Sequence, residues 1–124
     1  MSVSLLDVSI LLPLIQGGHL FHPAVKLWFQ SHRKSGWATC TITQAGFVRI
    51  TGQTMEGGQA MPRALEAIEL LCSTQEHQFW PLDYPLSDMS SEIRERIRGP
   101  KQLTDAILLD LAIRRGGRFA TLDR

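Results

Sequence analysis

Cysteine is scarce: Cys40 and Cys72 are the only two, far apart, and they match neither a CxxC nor a zinc-ligand spacing. This excludes a disulfide-stapled scaffold and a thiolate metal site, and leaves two core thiols in a reducing compartment. Long apolar runs are also missing. No stretch approaches the roughly 18 residues a membrane-spanning helix needs. The apolar run VSLLDVSILLPLI near the N-terminus has no Lys or Arg ahead of it and is interrupted by Asp7, unlike a secretory leader. A soluble cytoplasmic protein is expected. Neither sign of charge dominates: 13 Lys and Arg against 12 Asp and Glu give +1. That is too little for a protein that coats polyanions, but it is compatible with a local basic face. GxSxG, P-loop and HExxH motifs are absent, which removes the usual sequence grounds for those hydrolase and nucleotide-binding classes.

What is present is an ordered alternation of strands and helices. At 124 residues and 44% apolar, the chain fits a single domain, 1–124, able to bury a core unaided. VSLLD reads as a buried strand ending on Asp7, and ILLPLIQ as a helix with Pro13 in its first turn. GGHLFHP is a turn, AVKLWFQSHRK a helix with a basic end, and Gly36 separates it from WATCTI, a second strand. TQAGFVRIT predicts a helix and TGQTMEGGQA a Gly-rich loop. PRALEAIELLCS predicts an amphipathic helix with Leu65, Ile68, Leu71 and Cys72 on one face. QFWPL is a third strand and SDMSSEIRERIRG a short helix. QLTDAILLDLAIRRGG is the strongest helix, with Thr104 as its cap and Gly116 as its end, and RFATLD is the last strand. This order predicts an α/β domain around a mostly parallel sheet.

The acids fall at the junctions. Asp7 closes the first predicted strand, Asp123 closes the last, and Asp105 sits in the first turn of the strongest helix. Gln44 opens the helix after the second strand. Ligands of an open parallel sheet bind outside the carboxyl ends of its strands, so these positions share one edge. Three gathered carboxylates repel one another unless a cation holds them, and an oxygen-only site suits Mg²⁺ or Mn²⁺. Taken singly, each has a plainer reading: Asp7 as a helix cap, Asp105 as a helix-dipole residue, Asp123 as a solvated terminal acid. His19 and His22 read as loop or helix-start residues. Asp110 reads as the partner of Arg114 at i+4, worth a few tenths of a kcal/mol. Trp28, Trp37 and Trp80 read as core.

LLDVSILL, WATCTITQAGFVRIT, HQFWPLD, QLTDAILLDLA and GGRFATLDR, in this order from residue 3 to residue 124, resemble the PIN-domain ribonucleases, and among them the VapC toxins of toxin–antitoxin modules. The resemblance implies a three-layer α/β/α fold and Mg²⁺- or Mn²⁺-dependent endonucleolytic cleavage of RNA. It also implies a cognate VapB-like antitoxin and a homodimer. Its acidic set maps onto Asp7, Asp105 and Asp123, with a further acid usual at the place of Gln44. Ser9, Thr104 and Thr121 fall where supporting hydroxyls are expected, with cap or strand roles as the alternative for the two threonines. A neutral Gln44 implies weaker binding of a second metal. The sequence stops at Arg124, directly after Asp123, where such relatives usually continue, and a terminus there is expected to loosen Asp123. These two departures supply the alternative, a PIN fold with a weakened metal site acting as a binding or regulatory module. Arg94, Arg96, Arg98 and Lys101 either guide an RNA backbone toward the acids or form a solvated face with Glu92 and Glu95. Arg49 either reaches phosphate or forms an internal ion pair.

Overall fold

A computed structural model describes residues 2–55 and 57–123. Four short strands, β1 (Ser4–Leu6), β2 (Trp37–Thr39), β3 (His77–Phe79) and β4 (Arg118–Ala120), form one sheet in the order β3-β2-β1-β4. Every neighbouring pair is parallel, in the register Ser4↔Trp37, Ser4↔Arg118 and Trp37↔His77. The helices are α1 (Val8–Ile15), α2 (His22–His32), α3 (Thr41–Thr54), α4 (Ala60–Cys72), the single turn α5 (Ser91–Arg94) and α6 (Leu103–Arg114). No helix among the described residues is long and apolar enough to cross a membrane.

Side chains of a strand alternate between faces, and the core divides accordingly. Leu6 and Trp37 face α1, α2, α3 and α4, packing with Ile10, Leu11, Val25, Phe29, Phe47 and Ile68. Leu5 and Ala38 face the other way and pack with Cys40, Trp80, Leu108 and Leu111 beneath α6. The result is the expected three-layer α/β/α arrangement. A central parallel strand is covered on both faces, which is why β1 reads as an unbroken apolar run. Leu5 and Leu6 are both fully buried, and each contributes about 2 kcal/mol of hydrophobic stabilisation.

Local capping shifts several boundaries from the sequence reading. Asp7 caps α1 directly, so that helix begins at Val8 and Pro13 lies in its second turn rather than its first. The strand expected over WATCTI stops at Thr39, because Thr43 closes a cap around Cys40: the Cys40 N–H donates to Thr43 Oγ1 at 3.1 Å and the Thr43 hydroxyl donates to the Cys40 carbonyl at 3.1 Å. Helix α3 then runs on to Thr54, into the expected Gly-rich loop, of which Glu56 lies outside the described residues. On α4 the buried stripe is Ala60, Ala64 and Ile68, an i, i+4, i+8 row, while Leu65 is 54% exposed instead of facing the core. Helix α6 begins at Leu103, with Gln102 and not Thr104 at its cap position. Asp110 is more than a surface partner of Arg114. It is 2% exposed, accepts from Arg114 Nε at 2.8 Å and from the Ser90 N–H at 3.1 Å, and so ties the start of α5 to α6. Trp37 and Trp80 are core residues as expected, and Trp28 is half-buried, stacked on His32 at 4.8 Å.

The end of α6 sets the position of β4. Gly116 takes φ +66°, and Gly116 and Gly117 donate to the carbonyls of Ile113 and Ala112 at 3.0 and 2.8 Å, the paired bonds of a Schellman cap. A Cβ at Gly117 would lie 2.5 Å from the Val3 carbonyl oxygen and 2.7 Å from Trp80 Cη2. One contact is backbone and the other a buried ring, so neither gives way easily. Gly117→Ala is expected to cost about 1–3 kcal/mol, read as a lowered thermal midpoint. An unchanged midpoint would mean that β4 is free to shift.

Candidate metal centre at the carboxyl edge of the sheet

Asp7 leaves the end of β1 and is 5% exposed. Its backbone N–H donates to the Ala120 carbonyl at 2.9 Å, which holds it against the end of β4. Asp7 Oδ1 accepts the Val8 N–H at 2.8 Å, and Oδ2 accepts the hydroxyls of Ser9 at 3.0 Å and Thr121 at 2.7 Å. A carboxylate offers four acceptor directions, and these bonds fill three of them. The helix-cap and cluster readings of Asp7 are therefore compatible: one oxygen starts α1 while the group as a whole is fixed at the edge.

The two hydroxyls also organise the chain that follows β4. Ser9 Oγ accepts the Leu122 N–H at 2.9 Å, Thr121 Oγ1 accepts the Asp123 N–H at 3.0 Å, and the two oxygens are 3.2 Å apart. Each hydroxyl thus donates to Asp7 and accepts from the segment carrying Asp123. Strand β4 stops at Ala120, so Asp123 lies beyond the strand instead of closing it as the sequence suggested. Its backbone is placed by Thr121. The sequence reading named Ser9 and Thr121 as supporting hydroxyls, but nothing in its pattern announced that they bond to each other's segment.

Asp105 arrives from the other layer, in the first turn of α6, half-buried. One carboxylate oxygen from each of Asp7, Asp105 and Asp123 lies within 4.8 Å of the others. Burial, reinforced by the charges of Asp7 and Asp123, raises the pKa of the Asp105 carboxyl above its ordinary value. Burial also raises Asp123, followed by the Asp7 charge and a hydrogen bond to Asp7. Such a cluster can be relieved by a proton or by a cation. The donor set is all oxygen and all anionic, which fits a hard divalent ion. Ligation of one cation by all three would need a rearrangement of the side chains that carry these oxygens. The exposed Asp123 and half-buried Asp105 can supply it while Asp7 stays fixed.

The remaining candidates lie elsewhere. Gln44 is in the first turn of α3, and its amide Nε2 donates to Thr39 Oγ1 at 2.9 Å and approaches Cys72 Sγ at 3.8 Å. Thr104 is exposed beside Asp105, with no hydrogen bond to the acids among the described residues. Arg94, Arg96, Arg98 and Lys101 are exposed on the segment leading into α6, and Arg49 is exposed on α3. A 410 Å³ cavity between α2 and β4 reaches Thr121 and Leu122, but it is lined largely by Ile10, Phe21, Val25, Trp28 and Phe119 and by none of the three acids.

The PIN-domain family model matches residues 4–124. The chain is 37% identical to ribonuclease VapC44 of Mycobacterium tuberculosis over 122 residues, covering 98% of this chain and 86% of that protein. It is likewise 37% identical to ribonuclease VapC39 of the same organism, covering 97% and 88%. Among solved structures, the Mycobacterium tuberculosis toxin VapC20, described as cleaving the sarcin–ricin loop, superposes with a TM-score of 0.66 over 97% of this chain and 89% of that one at 11% identity, a likeness of fold. A parallel sheet between two helical layers, an acidic cluster at its carboxyl edge and full-length similarity agree: the chain belongs to the PIN-domain family and, within it, to the VapC ribonucleases.

Proposed function

We propose that the protein is a divalent-metal-dependent endoribonuclease, the toxin of a toxin–antitoxin pair, which hydrolyses RNA phosphodiester bonds at the Asp7–Asp105–Asp123 cluster. The observation that carries this reading is the convergence of the three carboxylates within 4.8 Å, from three separate elements, with Asp7 locked by Ser9 and Thr121. The neutral residue at position 44 is one of the two departures behind the weakened-module alternative, and the three acids supply an all-oxygen donor set without it.

Bound there, Mg²⁺ or Mn²⁺ supplies Lewis-acid polarisation of the phosphate and an acidified attacking water. Asp7 provides the fixed oxygen of the site, its orientation set by the Val8 N–H and two hydroxyls. Asp105 closes from α6, and Asp123, exposed beside Asp7, is suited to take the proton of the attacking water on a carboxylate oxygen. Arg94, Arg96, Arg98 and Lys101, ahead of the Asp105 turn, offset the repulsion between RNA and the acids. Arg49 serves the same purpose from α3. A VapB-like antitoxin and a second copy of the chain are the expected partners, in the cytoplasm.

Purified protein is expected to cleave RNA with Mg²⁺ or Mn²⁺, to stop on chelation with EDTA, and to recover when Mn²⁺ is restored. Asp7→Asn, prepared identically, serves as the control. Equal cleavage by that variant would identify a contaminating nuclease and remove the catalytic assignment.

A further inference from the structure

A hydrogen-bonded series lies in the helical layer opposite α6. Gln44 Nε2 donates to Thr39 Oγ1 at 2.9 Å. Thr39 ends β2 and is fully buried, and the same oxygen lies 2.7 Å from His77 Nε2 at the start of β3. Cys72 Sγ, at the end of α4, stands 3.8 Å from both Thr39 Oγ1 and Gln44 Nε2. The His77 ring packs on Trp37 at a centroid distance of 4.7 Å. Burial lowers the pKa of this imidazole, so the ring is neutral and one nitrogen is free to accept. The proton order that satisfies the series runs from the Gln44 amide to the Thr39 oxygen, and from the Thr39 hydroxyl to His77 Nε2.

Position within the layers decides what Gln44 can reach. Thr39 lies two residues from Trp37 and so on the same sheet face, the face covered by α1 to α4. Ala38 and Cys40 point to the other face, beneath α6, which delivers Asp105. The amide nitrogen of Gln44 is thus held on the far side of the sheet from the layer that supplies Asp105. Turning the amide toward a cation would take its donor from Thr39, leaving the buried Thr39 oxygen without the bond it accepts. It would bring no negative charge in return.

We propose that the metal set of this chain is Asp7, Asp105 and Asp123 alone, holding one divalent ion, and that Gln44 is a positioning residue which fixes the start of α3 through Thr39 and His77. This rests on the metal-dependent reading above and specifies its ligands. Three carboxylates already outweigh the charge of one divalent ion, and among the described residues the cluster gathers no fourth carboxylate to hold a second.

Mn²⁺ titration calorimetry and ¹⁵N NMR of the His77 ring test both parts. Wild type, Gln44→Leu and Gln44→Glu are each expected to bind one Mn²⁺, with the affinity of Gln44→Leu within about twofold of wild type, while Asp105→Asn weakens binding about tenfold or more. His77 is expected as the Nδ1–H tautomer in wild type and in Asp105→Asn. In Gln44→Glu the carboxylate can only accept, so the Thr39 proton turns to it and His77 must donate from Nε2. The Nε2 shift then moves to the protonated range, while the ring keeps its hydrogen bond to the Cys72 backbone. A tenfold loss in Gln44→Leu, or a second Mn²⁺ in Gln44→Glu, overturns the ligand set. A His77 Nε2 that stays unprotonated in Gln44→Glu overturns the positioning role. Asp105→Asn binding as tightly as wild type would bring down the metal centre itself, and the tautomer measurement would still decide the role of Gln44.

Discussion

Asp105→Asn is expected to abolish RNA cleavage, by about 100-fold or more, and at the same time to make the metal-free protein more stable. The two effects have one cause. Asp105 stands beside Asp7 and Asp123, and its pKa is raised first by burial and then by those charges. A carboxyl whose folded pKa lies above its unfolded value favours the fold while protonated and loses that contribution as pH rises through the folded value. The gain of the Asn variant over wild type should therefore be largest near pH 7 and shrink as pH falls toward the unfolded carboxylate value near 4. Asp105 is half-exposed, and solvent screening holds the effect to about 1 kcal/mol or less. For a chain of this size that is a rise in thermal midpoint of about 3–6 °C. Saturating Mn²⁺ should reverse the order, because a ligand that binds only the folded state stabilises wild type more than a variant lacking one oxygen anion. Thermal scans with EDTA and with Mn²⁺, at pH 7 and pH 5, give the comparison. A variant less stable than wild type in EDTA at pH 7 would mean that Asp105 is held by a favourable contact and not by an unrelieved cluster.

Thr121→Val should cost about 10–100-fold in Mn²⁺ affinity and cleavage, although Thr121 touches no substrate. Valine keeps the shape but removes both the proton given to Asp7 Oδ2 at 2.7 Å and the oxygen that receives the Asp123 N–H at 3.0 Å. The first bond orients a metal-holding carboxylate, and the second places the backbone of another. Thr121→Ser, which restores the hydroxyl, should recover most of the loss. Ser9→Ala is expected to be milder, since it leaves Thr121 bound to Asp7, and the double variant should be non-additive because both hydroxyls share Oδ2. Thr121→Val cleaving RNA within about twofold of wild type would show that the terminal segment needs no such anchor.

The acidic set was legible because it depends on topology. Asp7, Asp105 and Asp123 stand at junctions, and in a parallel sheet right-handed crossovers bring those junctions to one edge whatever the details between them. The sequence misplaced what depends on local hydrogen-bond competition. Thr43 ended β2 early by capping α3, Thr121 drew the chain out of β4 before Asp123, and Asp110 was pulled inside to hold the Ser90 N–H. A hydrophobic pattern cannot anticipate these, because each is a bond from a polar side chain to backbone, two or three residues away for Thr121 and Thr43 and twenty away for Asp110. Leu65 was misread for a related reason. Its neighbours on the α4 face were small alanines, and the stripe that packs is the one whose spacing suits the α3 contact.

By itself the sequence determined the α/β class, the order of elements and the three acids, since apolar periodicity and the placement of charges at junctions are properties of the chain alone. Only the tertiary structure decided which polar groups meet. It turned Ser9 and Thr121 into a bridge between Asp7 and the segment carrying Asp123, and it directed Gln44 toward Thr39 and His77 in the layer away from α6. The physical reason is the alternation of side chains across a strand: one residue step along β2 changes the face, and the face determines which layer a neighbouring polar group joins.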